Sequence, residues 1–404
     1  MTDEASVSAL PQAPDAIELR HLRGFVAVAQ ELNFGRAAAR LYLSAPALSR
    51  QVRTLERLVG CDLLRRSTHR VELTTAGETF LDCARSLLRD LDRGLSVTRA
   101  AGGEFAARIA RFWAVVGDTG PEAGLQDLRD TCEELHARFS PPPEVGVRPV
   151  NTGGVPSFLL SPRPDAPVRV LYLHGGAYVT GSAFGYRALA GAIAAAVDGR
   201  VVVPEFRLAP EHPFPAALED AVRAYTWLLD TGADPRQVVV SGDSSGAGLA
   251  LSLLLTLREH DLPQPGGAML LCPSVDLTCR AFPEPVEGAP SSRLTRAEVR
   301  RFVDMYLAGH PIDDPVVSPL LADLSGLPPL LIQVGLGDPV RDEARNLAAH
   351  ARAHGVDVRL EVYPTSTHVF QVFWSFLPEA ADALAGLGRF TRDLAGRGIR
   401  RGLA

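Results

Sequence analysis

Residues 242–246, Gly-Asp-Ser-Ser-Gly, fit G-x-S-x-G with Ser244 at the centre. The run before them, QVVVS, is strand-like, and the run after them, AGLALSLLL, is small-residue helix. A strand-to-helix turn of this kind presents a serine hydroxyl for attack on a carbonyl. The hydroxyl is a poor nucleophile until a base takes its proton, so a histidine is needed, and a carboxylate to hold that histidine. His368 in STHVF and Asp338 in GDPVRDE are the candidates, each just after an apolar run. Attack also places negative charge on the carbonyl oxygen, which backbone N–H donors must meet. HGGAY, residues 174–178, offers the N–H groups of Gly175, Gly176 and Ala177 after His174. Ser245 offers its own at a helix start, where the dipole favours negative charge. Gly242 and Gly246 flank Asp243 and the serines because a β-carbon at either place would meet backbone in so sharp a turn. Taken singly, each motif has a plainer reading, since a serine in a glycine turn caps helices and a loop aspartate or histidine is often only solvated. Four of them together, each at a strand end, select catalysis.

The elements that must position these residues follow from hydropathy. From Val168 onward, short apolar runs (VRVLYL, RVVVPEF, QVVVS, GAMLLCP, PLLIQVG, VRLEVYP) alternate with amphipathic stretches, including helices expected near 184–197 and 215–230. Continuous apolar strands alternating with helices predict a mostly parallel sheet with helices on both faces. Ligand sites in such sheets lie at the carboxyl ends of the strands, where all four motifs fall. Upstream, SPPPEVGVRPVNTGGVPSFLLSPRPDAP reads as a linker followed by edge strands.

The chain order Ser244, Asp338, His368 is that of an α/β-hydrolase. With HGGAY and the block FRLAPEHPFPAALED at 206–220, residues 120–395 resemble the hormone-sensitive lipase family of α/β-hydrolases, which includes bacterial carboxylesterases. The resemblance implies an α/β-hydrolase fold and a Ser244–His368–Asp338 triad acting through an acyl-enzyme. It implies a helical cap from residues 120–150 and 291–310, an ester substrate, and neither metal nor organic cofactor. Ala177 stands where the family usually has a third glycine, and a backbone donor tolerates that change.

The front of the chain is of another kind. Leu22, Phe25, Val26, Val28 and Ala29 form one helical stripe, and Ala37, Ala38 and Leu41 a second. Ser44 reads as an N-cap with Pro46 in the first turn of a third helix, whose Leu48, Val52, Leu55 and Leu58 face inward. Its outward face carries Ser49, Arg50, Gln51 and Arg53, residue types that meet base edges and phosphates. LLRRSTHRVEL then alternates like a hairpin turning at 67–69, with Arg65, Arg66 and Arg70 set to grip a phosphate backbone. Thr75-x-x-Glu78 reads as a capping box opening a longer helix, and Phe80, Leu81, Leu87, Leu88, Leu91 and Leu95 suggest a pairing face on it.

In this order the motifs of residues 18–110 resemble the all-α winged helix-turn-helix and linker helix of LysR-type transcriptional regulators. The resemblance implies double-stranded DNA as partner, with Ser44 among the contacts, and a homodimer through the linker helix. Ala45 replaces the glutamine often found before the proline, which removes one candidate contact. The two-lobed effector domain that usually follows in that family is not continued here.

The expected organisation is a disordered N-terminus (1–17), a winged helix-turn-helix (18–76), a linker and dimerisation helix with connector (77–118), and a hydrolase domain with cap (119–404). Composition agrees with globular domains, at 46% hydrophobic and 22% charged residues. Residues 20–76 hold ten arginines against four acids, a net +6, while the whole chain is −6, so only the front suits a polyanion. Every one of the 41 basic residues is arginine, which excludes a Walker A loop and a pyridoxal phosphate Schiff base, both of which need lysine. Cys61, Cys83, Cys132, Cys272 and Cys279 are widely spaced, without CxxC, and read as buried or incidental thiols. No secretory signal or membrane span is apparent, so a soluble, cytoplasmic protein is expected. Three functions compete: a serine carboxylesterase joined to a DNA-binding module, a transcriptional regulator using the hydrolase domain as ligand sensor, and a fusion with one half vestigial. The complete triad and the retained helix order and charge of the front argue against decay.

Overall fold

The computed structural model describes residues 17–41, 43–66, 71–102, 107–109, 111, 124–280 and 296–401. Residues 1–16, Arg70 and the first part of the expected 291–310 cap segment lie outside these. Packing divides the chain into two units, Met1–Ser96 and Val97–Ala404.

In the first unit, α1 (Leu19–Glu31), α2 (Phe34–Arg40) and α3 (Ala45–Val59) precede a two-stranded antiparallel hairpin, β1 (Leu64–Arg66) and β2 (Val71–Leu73), and most of α4 (Thr75–Gly102). The helices form because their apolar residues recur on one face. Leu22, Phe25, Val28, Ala37, Ala38, Leu48, Val52 and Leu55 meet in a single core. Ser44 Oγ accepts from Ala47 N–H at 3.3 Å, so the expected cap opens α3, and Gly60 ends it at φ 83°. Glu56 turns inward and its Oε1 accepts the N–H groups of Leu63 (3.2 Å) and Leu64 (3.1 Å), fastening the wing to α3.

Two expectations shift here. The capping residue of α4 is Thr74 rather than Thr75: Thr74 Oγ1 accepts from Gly77 N–H at 2.9 Å. Three residues assigned to a pairing face serve this unit's own core. Leu81 is buried there, Phe80 and Leu88 pack against it, and Phe80 meets Phe25 edge-on at 5.6 Å. Leu87 remains 57% exposed.

The second unit is built on an eight-stranded sheet in the order β10-β9-β8-β7-β5-β6-β4-β3. The strands are β3 (Gly146–Thr152), β4 (Val155–Ser161), β5 (Val168–Leu173), β6 (Gly199–Pro204), β7 (Val238–Asp243), β8 (Gly267–Leu271), β9 (Leu330–Gly335) and β10 (Val358–Tyr363). Six are parallel, and β4 and β3 complete one edge antiparallel. The central strands β7, β8 and β9 are buried along their whole length, as strands covered on both faces must be. Residues 146–150, which the resemblance would place at the end of the cap, belong instead to the sheet edge, as the edge-strand reading of that stretch expects.

α5 (Leu125–His136) precedes the strands, α6 (Arg187–Val197), α7 (Ala216–Asp230), α8 (Ser245–Glu259), α9 (Arg296–Leu307) and α10 (Arg341–Ala353) run between them, and α11 (Pro378–Arg401) follows. The 206–220 block is a brace: Arg207 forms an ion pair with buried Asp220 at 2.9 Å, and Phe206 stacks on His174 with ring centroids 4.2 Å apart. Arg129 ties α5 down through Glu211 at 2.7 Å and the carbonyls of Val179 and Ala209. Tyr306 of α9 lies flat on Tyr178 at 3.7 Å and 6°. Among the described residues, no helix is long and apolar enough to cross a membrane.

Candidate active site at the carboxyl edge of the sheet

Ser244 stands between β7 and α8 at φ 51°, ψ −123°, a conformation that non-glycine residues rarely hold. Its neighbours make the turn possible. A β-carbon on Gly242 would stand 2.3 Å from Gly246 O, and one on Gly246 would stand 2.1 Å from Leu173 O. The elbow is clamped from outside, with Ser244 N–H donating to Leu271 O at 2.9 Å and Ser274 N–H donating to Ser244 O at 3.0 Å.

The three residues chosen from sequence come together. His368 Nε2 lies 2.9 Å from Ser244 Oγ. Its Nδ1 lies 3.0 and 3.1 Å from the two oxygens of Asp338, whose Oδ1 also accepts Val340 N–H at 3.0 Å. Asp338 is buried beside β9, and the His368 side chain is 27% exposed. Burial alone would depress the proton affinity of His368. The carboxylate of Asp338, with Asp243 and Glu343 behind it, more than offsets this and raises the imidazole pKa above its ordinary value.

HGGAY forms a left-handed turn beside the elbow, with Gly176 at φ 121°, Ala177 at 54° and Tyr178 at 65°. A β-carbon on Gly176 would stand 2.1 Å from Thr180 O, so that glycine is obligatory. Gly175 corrects the expectation of an oxyanion donor: its N–H donates to Asp243 Oδ1 at 2.9 Å. A donor already committed to a carboxylate has no second proton for substrate. Gly176, Ala177 and Ser245 remain as the candidate oxyanion donors.

The sequence reading gave Asp243 only a place in the motif. It is wholly buried, and Tyr172 OH (2.6 Å) and Tyr186 OH (3.2 Å) donate to it alongside Gly175. Burial lifts its pKa to about 6 against the pull of these donors. Asp243 therefore joins the elbow to the oxyanion loop. Glu343, within the quoted GDPVRDE run, was not singled out. It is buried and accepts the N–H groups of Val275 and Asp276, the latter at 2.6 Å, and burial pushes its pKa to about 7. The only signal available for it was the D-P-x-x-D-E spacing, which puts Glu343 in the first turn of α10. His174 is buried between Phe206 and Tyr186, and burial lowers its pKa to about 4.

In the first unit, Ser44, Arg50, Arg53 and Arg65 are exposed and Ser49 is half-buried. Gln51 leans on α1, where a β-carbon on Gly24 would stand 3.2 Å from its Oε1. Arg66 lies on β1.

Comparison with known proteins agrees with both halves. Residues 170–372 match the family model described as alpha/beta hydrolase fold, and residues 19–78 that of bacterial regulatory helix-turn-helix proteins of the lysR family. An acetyl-hydrolase of Streptomyces hygroscopicus is 41% identical over 231 residues, covering 57% of this chain and 77% of that protein. An esterase of Acinetobacter venetianus is 34% identical over 272 residues, covering 66% of this chain and 88% of that protein. A crystal structure of an esterase from the bacterial hormone-sensitive lipase family superposes with a TM-score of 0.65 at 35% identity, covering 70% of this chain and 97% of that one. A mutant of the esterase E40 superposes with the same TM-score at 36% identity, covering 71% of this chain and 97% of that one. The chain belongs to the α/β-hydrolase family, among the hormone-sensitive-lipase-type esterases, and carries a LysR-type helix-turn-helix ahead of that domain.

Proposed function

We propose that the protein is a serine carboxylesterase working through Ser244, His368 and Asp338, joined to a module that binds double-stranded DNA. The observation that carries the enzymatic half is the unbroken relay of 2.9 Å from Ser244 Oγ to His368 Nε2 and 3.0 Å from His368 Nδ1 to Asp338. His368 Nε2 takes the serine proton as Oγ attacks the ester carbonyl, and Asp338 holds the Nδ1–H tautomer and stabilises the imidazolium. The N–H groups of Gly176, Ala177 and Ser245 receive the oxyanion. The imidazolium then protonates the leaving alcohol. Water, deprotonated in turn by His368, releases the acid and frees Ser244. The names of the relatives support a short acyl group.

Turnover of a short-chain p-nitrophenyl ester tests this half. Ser244→Ala is expected to lower kcat by about 10⁴ to 10⁶-fold. Equal rates in the two proteins would reject the assignment.

A second reading is a transcriptional regulator that uses the hydrolase domain as its sensor; the capped α3 with exposed Arg50 and Arg53 supports the DNA contact that both readings share. In both readings α3 lies in the major groove with Ser44, Ser49, Gln51 and the wing residues Arg65, Arg66 and Arg70 at phosphates or bases. Two copies pair through α4, and the work is cytoplasmic. DNA affinity measured with and without ester, in wild type and Ser244→Ala, separates the readings: a sensor changes affinity on binding ester, and a tethered enzyme does not.

A further inference from the structure

Cys272, Asp338 and His368 place a thiol, a carboxylate and an imidazole donor within 4.8 Å of one another. They arrive from three neighbouring strand ends, after β8, β9 and β10. We propose that these three side chains form a binding site for a thiophilic divalent cation of the Zn²⁺ class, and that occupation switches the hydrolase off.

The thiol is held in place rather than merely nearby. Cys272 is wholly buried at φ 45°, in the left-handed region that a cysteine adopts only when its surroundings demand it. Its N–H donates to Gln333 O at 2.7 Å, and its Sγ donates to Gln371 Oε1 at 3.7 Å. Gln371 is itself wholly buried and donates to Gln333 Oε1 at 3.4 Å. These contacts fix where the side chain lies, with its proton directed at Gln371 Oε1, so a cation must displace that proton to bind.

Thiolate, imidazole and carboxylate are the donor types Zn²⁺ takes, at about 2.3 Å for sulfur and about 2.0 Å for nitrogen and oxygen. A tetrahedral ion at those lengths holds its donors about 3.5 Å apart, so the cluster need close by only about an ångström. Of the three, the His368 side chain is the solvent-facing member at 27% exposed. The chemistry of inhibition follows from proton positions. The cation takes the Nδ1 lone pair now carrying the proton directed at Asp338, and that proton moves through solvent to Nε2. The Cys272 thiol releases its proton to solvent, so the doubly charged cation is balanced by thiolate and carboxylate, with nothing oxidised or reduced. Nε2 then donates to Ser244 Oγ and can no longer accept its proton. This inhibitory consequence rests on the triad reading; the binding does not.

The experiment uses the full chain stripped with EDTA, Cd²⁺ as a spectroscopic probe and Zn²⁺ as the inhibitor. Because Cys61 and Cys83 are exposed, the cadmium–thiolate absorption is read as a difference between wild type and Cys272→Ala, with Cys272→Ser as the better-packed second variant. A Cys272-dependent band is expected in wild type and equally in Ser244→Ala. Zn²⁺ should inhibit wild-type hydrolysis reversibly with EDTA. Each Cys272 variant, scaled to its own metal-free rate, should need about tenfold more Zn²⁺ or beyond. Identical bands in wild type and both variants would overturn the site. A Cys272-dependent band with full wild-type turnover would keep the site and overturn the role of His368 as base.

Discussion

The helix-turn-helix and the hydrolase centre are assembled in opposite ways. In the first unit the proposed DNA-reading residues are nearly contiguous in the chain, and Arg50, Arg53 and Arg65 among them are exposed around a helical core. In the second, the candidate residues are collected from positions 174 to 368 at strand ends, where burial raises the proton affinity of Asp243 and Glu343. A surface that reads a polyanion gains from solvent-exposed charge spread over many similar contacts. A centre that must move one proton gains from a few groups placed to within fractions of an ångström. The same contrast appears in backbone strain: Ala177, Tyr178, Ser244 and Cys272 all hold positive φ around the elbow, whereas among the described residues of the first unit those with positive φ, Leu32 and Gly60, sit at helix ends.

Variants can break this contrast, beginning with the most demanding group. Asp338→Asn removes the acceptor of the Nδ1 proton and should lower kcat by about 10⁴-fold. It should also move the acid limb of kcat/KM to lower pH. In wild type Asp338 raises the proton affinity of His368, so activity is lost as pH falls through a value above the ordinary histidine pKa. Without that carboxylate the burial effect prevails and the limb shifts down. A pH–rate profile that keeps its acid limb would refute the coupling. Next comes Asp243→Ala, which frees Gly175 N–H and the two tyrosine hydroxyls. The oxyanion loop should then drift, costing about a hundredfold in kcat with little change in KM. A rise in KM alone would mean that Asp243 serves binding and not loop placement.

In the first unit each change should do less. Arg53→Ala should weaken DNA binding uniformly across sequences, lower the slope of log K against log salt by about one, and leave ester turnover untouched. An unchanged salt slope would show that Arg53 meets no phosphate. Thr74→Ala removes the Oγ1 acceptor of Gly77 N–H and a donor to Asp62 O, and should cost that unit about 1 kcal/mol in a denaturation curve. Thr75→Ala, one residue along, should be milder, and the reverse order would restore the cap to Thr75.

These differences also explain what could be read early. Helix stripes, caps and the elbow are local: Ser44 three residues before Ala47, or two glycines around Asp243 and the serines, impose sterics and hydrogen bonds within a few residues. One-residue errors such as Thr75 for Thr74 arise because two adjacent threonines offer the same chemistry and only the start of α4 chooses between them. The pairing face on α4 was misjudged in part because an apolar stripe has the same period whether it meets its own core or another chain.

The sequence by itself determined the strand-and-helix rhythm, the elbow at Ser244, the order of the serine, aspartate and histidine, and a basic front carrying arginine without lysine. Hydrophobic period and glycine sterics depend on neighbours along the chain, so they need no knowledge of the fold. Only the tertiary structure decided that Gly175 gives its N–H to Asp243, that Glu343 fastens the loop at Val275 and Asp276, and that Cys272 stands beside Asp338 and His368. Those contacts join residues 66 or more positions apart, and which donor meets which acceptor is set by strand order and register, which the residues along the chain do not encode one at a time.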